Sequence, residues 1–269
     1  MTKGKTYQYH IFSPYRVCPL GAHVDHQHGL VTGFAIDKGV DLWFNINATS
    51  STDNHDSEGS QGHVHLESLT FDGMADFEID APTQIREHHW GDYARGAKYA
   101  LRKHFKLTRG IDGVIQGSLP IGGLSSSAAV LIAYVMAFAK ANGIALQPFE
   151  VVQIASEAER EYIGLSNGLL DQSCIALSQK NRLLFLDCDI NEYRLIPFGK
   201  QEEAVKGHEA ALDSGAQTTD DDDDGGRLPF EIGIFFSGLT RSLVNSDYNL
   251  RVYECKTAAW DMLAYMDQP

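Results

Sequence analysis

The stretch "LPIGGLSSSAAVLIAYVMAFAKANG", Leu119 to Gly143, constrains the chain more than any other. Its second half is apolar almost all round a helical wheel, so a helix there has to be surrounded by protein. The nearly unbroken apolar run from Ala128 to Ala139 is too short to cross a bilayer. A central, buried helix is therefore predicted, ending at Gly143. Its entrance is a turn of two glycines and three serines, where the backbone can approach a ligand closely. The unpaired N–H groups of a helix start there carry partial positive charge. That combination suits a phosphate. No Lys follows the glycines as in G-x-x-x-x-G-K-[ST], and G-x-G-x-x-G is absent, so neither of those two loops is present. On these residues alone, a plain serine-rich helix cap stays open as the alternative.

The flanking segments alternate in type and predict an α+β fold. "GVIQGSL" leads into the turn as a strand. Trp90, Tyr93, Ala97, Ala100, Leu101 and Phe105 recur at helical spacing over residues 90–105. "PFEVVQIASEAEREYIG" is a second amphipathic helix, with Val151, Ala155, Ala158 and Tyr162 on one side and Glu157 and Glu161 nearer the other. "GLLDQSCIALSQ" opens a third, and "RLLFLDC" is strand-like. Near the N-terminus, "LVTGFAIDKGVDLWFNINAT" mixes β-branched and aromatic residues with punctuating glycines and predicts two or three antiparallel strands. "SSTDNHDSEGSQGH" is expected to be a loop or a wide hairpin connection. "LPFEIGIFFSG" has the composition of a buried strand, and "VNSDYNLRVYECKTAAWDMLAYM" that of a helix.

Charge and cysteines remove several function classes. The formal net charge is −14 and includes the run Asp220–Asp224, expected to be a solvated, disordered stretch, so nucleic acid is not an expected partner. The N-terminus lacks a secretory signal's apolar core, no membrane contact is expected, and a cytoplasmic location is the expectation. Cys18, Cys174, Cys188 and Cys255 lie far apart with no C-x-x-C pair, which predicts free thiols.

"GAHVDHQHG", Gly21 to Gly29, crowds His23, Asp25, His26 and His28 together. The spacing H-x-x-H-x-H offers two or three metal ligands but no second cluster, so a metal site and a binding loop of another kind both remain possible on spacing alone.

Four segments in order change the weighing. "SPYRVCPLGAHVDHQHG", "LPIGGLSSSAAV", "AEREYIGLSNGLLDQ" and "GLTRSLVNSDYNLR" make the chain resemble the galactokinase-like, sugar-kinase branch of the GHMP small-molecule kinases over nearly its whole length. The resemblance implies a two-domain GHMP kinase fold, with a ribosomal-protein-S5-like N-terminal domain over residues 1–225 and the start of a C-terminal domain over 226–269. It implies an ATP-dependent sugar 1-kinase that uses Mg2+ and works as a monomer on small molecules. Carried over position by position, Asp171 is the catalytic base and Arg16 steadies it and the transferring phosphoryl group. Ala22, His23, Asp25 and Tyr248 face the sugar. Gly122, Gly123, Leu124, Ser125, Ser126 and Ser127 cradle ATP, and Ser126 and Glu159 hold magnesium.

The departure at Ala22 bears on the substrate. Galactokinases carry an acid directly before the motif's His, where it meets the sugar's sixth carbon. Were that carbon a carboxylate, as in galacturonic acid, the two charges about 4 Å apart would repel by roughly 4 kcal/mol at an effective dielectric near 20. Ala22 removes that repulsion, and the segment is similar to the galacturonate-phosphorylating members of the branch. D-Galacturonate is therefore the expected substrate. A neutral sugar, or a sugar- and ATP-binding protein without turnover, are the alternatives. His23, His26 and Arg241 are candidates to meet the carboxylate. The branch's third glycine-rich motif is not found before Pro269, so the C-terminal domain is expected to be incomplete.

Overall fold

The computed structural model describes residues 5–47, 62–82, 86–119, 122–198, 205–206, 231–238 and 247–266. The expected loop between residues 50 and 63 lies almost wholly outside them, and so do Asp220–Asp224 and Arg241.

Among the described residues, one mixed eight-stranded sheet forms the base of the structure. Its order is β4 (Met74–Glu78), β3 (His63–Ser68), β5 (Ile111–Gly117), β2 (Leu30–Ile46), β6 (Arg182–Asp187), β7 (Glu192–Pro197) and β8 (Val205–Lys206), with β1 (Tyr9–Leu20) also paired to β2. The pairs are antiparallel except β3 with β5.

Strand β2 corrects the expectation of two or three strands in "LVTGFAIDKGVDLWFNINAT". It is one strand of 17 residues. One of its edges runs along β1, while the other pairs with β5 over Val40–Ile46 and with β6 over Leu30–Gly33. Its glycines are points of close approach rather than breaks. A Cβ on Gly39 would stand 2.3 Å from the Ser13 carbonyl oxygen, and one on Gly33 only 2.2 Å from Cys174 Sγ.

The inward residues of β2 alternate as Val40, Leu42 and Phe44, all buried, with Asp41, Trp43 and Asn45 on the other face. Helix α1 (Gly91–His104) and helix α2 (Ser126–Ala141) share one core with that inward face and with Val64, Leu66 and Phe77. Helix α2 is buried along most of its length, as its all-round apolar surface requires. The next predicted helix divides in two. Helix α3 (Pro148–Glu157) opens with a capping box between Gln147 and Glu150 and continues as a π-helical turn over Ala158–Ile163, ended by Gly164 at φ +83°. Helix α4 (Leu170–Leu177) and strands β6 and β7 complete a second, smaller core with Val31, Val152, Leu184 and Leu195.

Two further expectations meet different fates. Helix α5 (Tyr248–Tyr265) forms as predicted and buries Val252, while Trp260 and Tyr265 are exposed. By contrast, Glu231–Gly238, the described part of "LPFEIGIFFSG", is exposed and not a strand. Its apolar composition is that of a buried strand, but extended backbone becomes one only when its N–H and C=O groups are paired, and these residues join no ladder. All four cysteines are free.

Gly33 is where β2 admits α4. Replacing Gly33 with Ala should cost about 1–3 kcal/mol of stability by overpacking against Cys174. Adding Cys174→Ala should recover most of that loss in urea denaturation, whereas additive losses would show that the clash is not the cause.

Candidate active site

Strand β1, the entrance of α2 and the first turn of α4 meet at one guanidinium. Arg16 donates from Nε to Asp171 Oδ1 at 2.7 Å and from Nη1 to the Gly123 carbonyl at 3.0 Å. The Arg16 backbone N–H donates to the Leu124 carbonyl at 3.3 Å, so strand and loop are tied twice. Asp171 sits in the first turn of α4, where a carboxylate is favoured by the helix dipole. Its second oxygen accepts from Ser125 Oγ at 2.5 Å. Both side chains of the ion pair are largely buried, at 15% and 21% exposed, yet each keeps an open side.

The loop itself is built for close approach. Gly122 and Gly123 are exposed, and Gly123 has φ +67° with open space where a Cβ would lie. Ser125 takes φ +57°, a left-handed conformation that non-glycine residues rarely adopt. That turn aims its hydroxyl at Asp171. Ser126 and Ser127 open α2, Leu124 is half-buried, and the free N–H groups of the helix's first turn lie there too.

Glu159, in the π turn, is 1% exposed. Its Oε2 accepts from Asn167 Nδ2 at 2.7 Å and from Gln172 Nε2 at 2.5 Å, and Ser127 also donates to it. Ser127 rather than Ser126 is therefore the serine in hydrogen-bond contact with this acid. Burial, reinforced by the charge of Asp171, raises the Glu159 carboxyl to about 7 against those three donors. Asn167 and Gln172 were not singled out from sequence. The usable signal was the adjacency of Gln172 to Asp171, because neighbours in a helix point about 100° apart and can serve two different carboxylates.

The histidine-rich loop forms a short 3₁₀ turn over Asp25–Gln27. Asp25 is pressed against the chain before α4, since a Cβ on Gly168 would fall 2.5 Å from Asp25 Oδ2. Burial first, then the charge of Asp171, raises its carboxyl above the ordinary range. His26 lies 3.6 Å from Asp25 through Nδ1 and meets the ring of Tyr248 edge-on at 6.4 Å. Tyr248, at the start of α5, has its phenol raised by burial and then by Asp25, Asp171 and Glu159. The neighbouring Asn249 fixes that helix start through Ser166 N–H at 2.9 Å and the Gly164 carbonyl at 2.7 Å. Ala22 and His23 are exposed on the same loop, and the His23 carbonyl accepts from Gln27. His28 turns away to Asp189 at 3.5 Å. The loop's histidines thus diverge instead of enclosing an ion.

Arg16, Asp171, Gly123 and Ser125 are joined directly. Asp25, Glu159 and Tyr248 surround them closely enough to sense the Asp171 charge. A carboxylate held at both oxygens beside a glycine loop and an arginine can accept a proton while an anionic group is transferred next to it.

The chain is similar to known proteins over most of its length. Residues 92–179 match the GHMP kinases N terminal domain. The chain is 36% identical to a galacturonokinase of Arabidopsis thaliana, over 93% of this chain and 55% of that protein. It is 31% identical to a galactokinase of Clostridium perfringens, over 72% of this chain and 48% of that protein. Among solved structures, Lactococcus lactis galactokinase complexed with galactose superposes with a TM-score of 0.63 at 26% identity, over 71% of this chain and 47% of that one. Methanococcus jannaschii mevalonate kinase, at 20% identity and a TM-score of 0.56, shares the fold. The chain spans about half the length of the curated relatives it matches. The matched segment covers α1 through α4, so the chain carries a GHMP kinases N terminal domain, and its similarity to sugar kinases extends well beyond that domain.

Proposed function

We propose that the chain carries the transfer site of an ATP-dependent sugar 1-kinase whose substrate is D-galacturonate. The observation that carries this reading is Asp171, fixed by Arg16 and Ser125 at the mouth of the Gly122–Ser127 loop. In the proposed reaction the C1 hydroxyl passes its proton to Asp171, and its oxygen bonds to the γ-phosphorus. The bond from that phosphorus to the β–γ bridging oxygen breaks and ADP leaves. An anomeric hydroxyl is more acidic than an ordinary alcohol, which suits a carboxylate base. Arg16 and the helix-start N–H groups offset charge on the phosphoryl oxygens. Asp25, His23 and Tyr248 are assigned to the sugar. Residues 1–225 are assigned to the N-terminal domain and 226–269 to the opening of a second.

A magnesium ion fits the residues around Glu159. Every group hydrogen-bonded to that buried acid among the described residues is a neutral donor, and the carbonyl oxygens Asn167 Oδ1 and Gln172 Oε1 are buried without a donor. An oxygen-rich pocket short of positive charge suits a hard divalent cation, which would be held by Glu159 with Ser126 or Ser127. When bound, the ion neutralises charge on the nucleotide's phosphates.

Galacturonate is preferred over galactose because of Ala22 and because the Arabidopsis relative is a galacturonokinase. Incubation of the chain with ATP, magnesium and a panel of uronic and neutral sugars should yield a sugar 1-phosphate, detected by phosphorus NMR, with galacturonate the best acceptor. Binding of both ligands without any product would overturn the kinase reading. Ala22→Glu should depress kcat/KM for galacturonate far more than for galactose, and equal losses would refute the charge argument.

Glu159 also makes a prediction for the metal-free protein. Its carboxyl titrates near 7 when folded and near 4.5 when unfolded, so the folded state holds an extra proton between those values. Stability should therefore fall as pH rises through that window, by at most about 1.4 kcal/mol per pH unit. Glu159→Gln should flatten the profile measured by urea denaturation, and magnesium should restore stability above pH 7 in the parent protein alone. Parallel profiles for the two proteins would contradict the assignment.

A further inference from the structure

Away from this site, the edge hairpin of β3 and β4 carries an arrangement that the kinase reading does not use. His63 and His65 are two residues apart on β3, so both point to one face. Across the antiparallel pair, His65 stands opposite Asp76 and His63 opposite Glu78. One oxygen of Asp76 receives both rings: Oδ2 lies 3.3 Å from His63 Nε2 and 3.0 Å from His65 Nδ1. Each imidazole then turns its remaining nitrogen to a different carboxylate, His63 Nδ1 to Glu78 at 3.2 Å and His65 Nε2 to Glu67 at 3.5 Å.

We propose that His63, His65 and Asp76 form a binding site for a zinc-type divalent ion, oriented by Glu78 and Glu67. Two imidazoles and a carboxylate are a ligand set that zinc favours, and a fourth position is left for water. The outer carboxylates supply the partner that a metal-bound imidazole nearly always keeps on its other nitrogen, which fixes the ring and its tautomer. The three ligand atoms lie within 4.8 Å of one another, and the histidine side chains are about a third exposed, so an ion can enter from solvent. Among the described residues this is the one group of His, Cys, Asp and Glu so placed, and the histidine-rich loop at Gly21–Gly29 is not part of it. Bound there, the ion would clamp β3 to β4 at the sheet's edge.

The test is zinc titration of the full chain, free of any histidine tag and in excess magnesium to fill the pocket at Glu159, by calorimetry, with cobalt(II) visible absorption as a reporter of nitrogen and oxygen ligation. One equivalent should bind, and zinc should raise the thermal midpoint. His65→Ala and Asp76→Asn should each abolish that stoichiometric binding, while Glu78→Gln and Glu67→Gln should weaken it about 10–100-fold with the fold intact. His23→Ala and Glu159→Gln should leave it unchanged. Absence of saturable binding, or binding that survives His65→Ala and Asp76→Asn, would overturn the proposal. So would loss of binding in His23→Ala or Glu159→Gln, because the ion would then sit elsewhere.

Discussion

The site depends on the ion pair between Arg16 and Asp171. Those residues are 155 positions apart, and their contact sets β1 against α4 with the Gly122–Ser127 loop held between them. A guanidinium is suited to this because its donors lie in one rigid plane, so a single side chain can hold an acid and a backbone carbonyl at fixed angles. The pair's role is geometric more than stabilising. Desolvating two charges offsets much of their attraction, and what survives is the fixed direction of the carboxylate. Ser125 then takes the second oxygen of Asp171, at the expense of a left-handed backbone at the loop's tip.

Around that pair, negative charge is in excess. Arg16 is the cation bonded to Asp171, and burial first, with the charge of Asp171 added to it, raises Asp25, Glu159 and Tyr248. Such a site is completed by whatever brings positive charge to it. This is why the orphaned carbonyl oxygens beside Glu159 matter as much as the acid itself. The second core, where Gly33 lets Cys174 approach β2, sets the height of α4 and so the position of Asp171 above the sheet.

Much of this was legible in the sequence, for reasons that differ by element. Helix α2 announces itself because an all-round apolar helix has only one place to go, and the amphipathic period of residues 90–105 leaves little freedom for α1. Arg16, Asp25, Glu159, Asp171 and Tyr248 are implied by the family resemblance of their segments, and the fold gathers them around one ion pair. What escaped were features set by pairing between distant segments. The glycines of β2 have the look of strand breaks until Cys174 and Ser13 are seen beside them. The run "FEIGIFFSG" has a strand's composition but no partner strand among the described residues. Asn167 and Gln172 gain meaning only when Glu159 is found buried between them. The hairpin histidines escaped for the same reason, since His63 and His65 are unremarkable until the register sets Asp76 and Glu78 opposite them.

The most direct test of the central claim separates binding from chemistry at Asp171. Asp171→Asn keeps the shape and the contacts available to Arg16 and Ser125 but cannot take up a proton. Calorimetry should find ATP and galacturonate bound by the variant nearly as by the parent, while single-turnover transfer falls by at least about a hundredfold. Transfer at the parent's rate in Asp171→Asn would contradict the account.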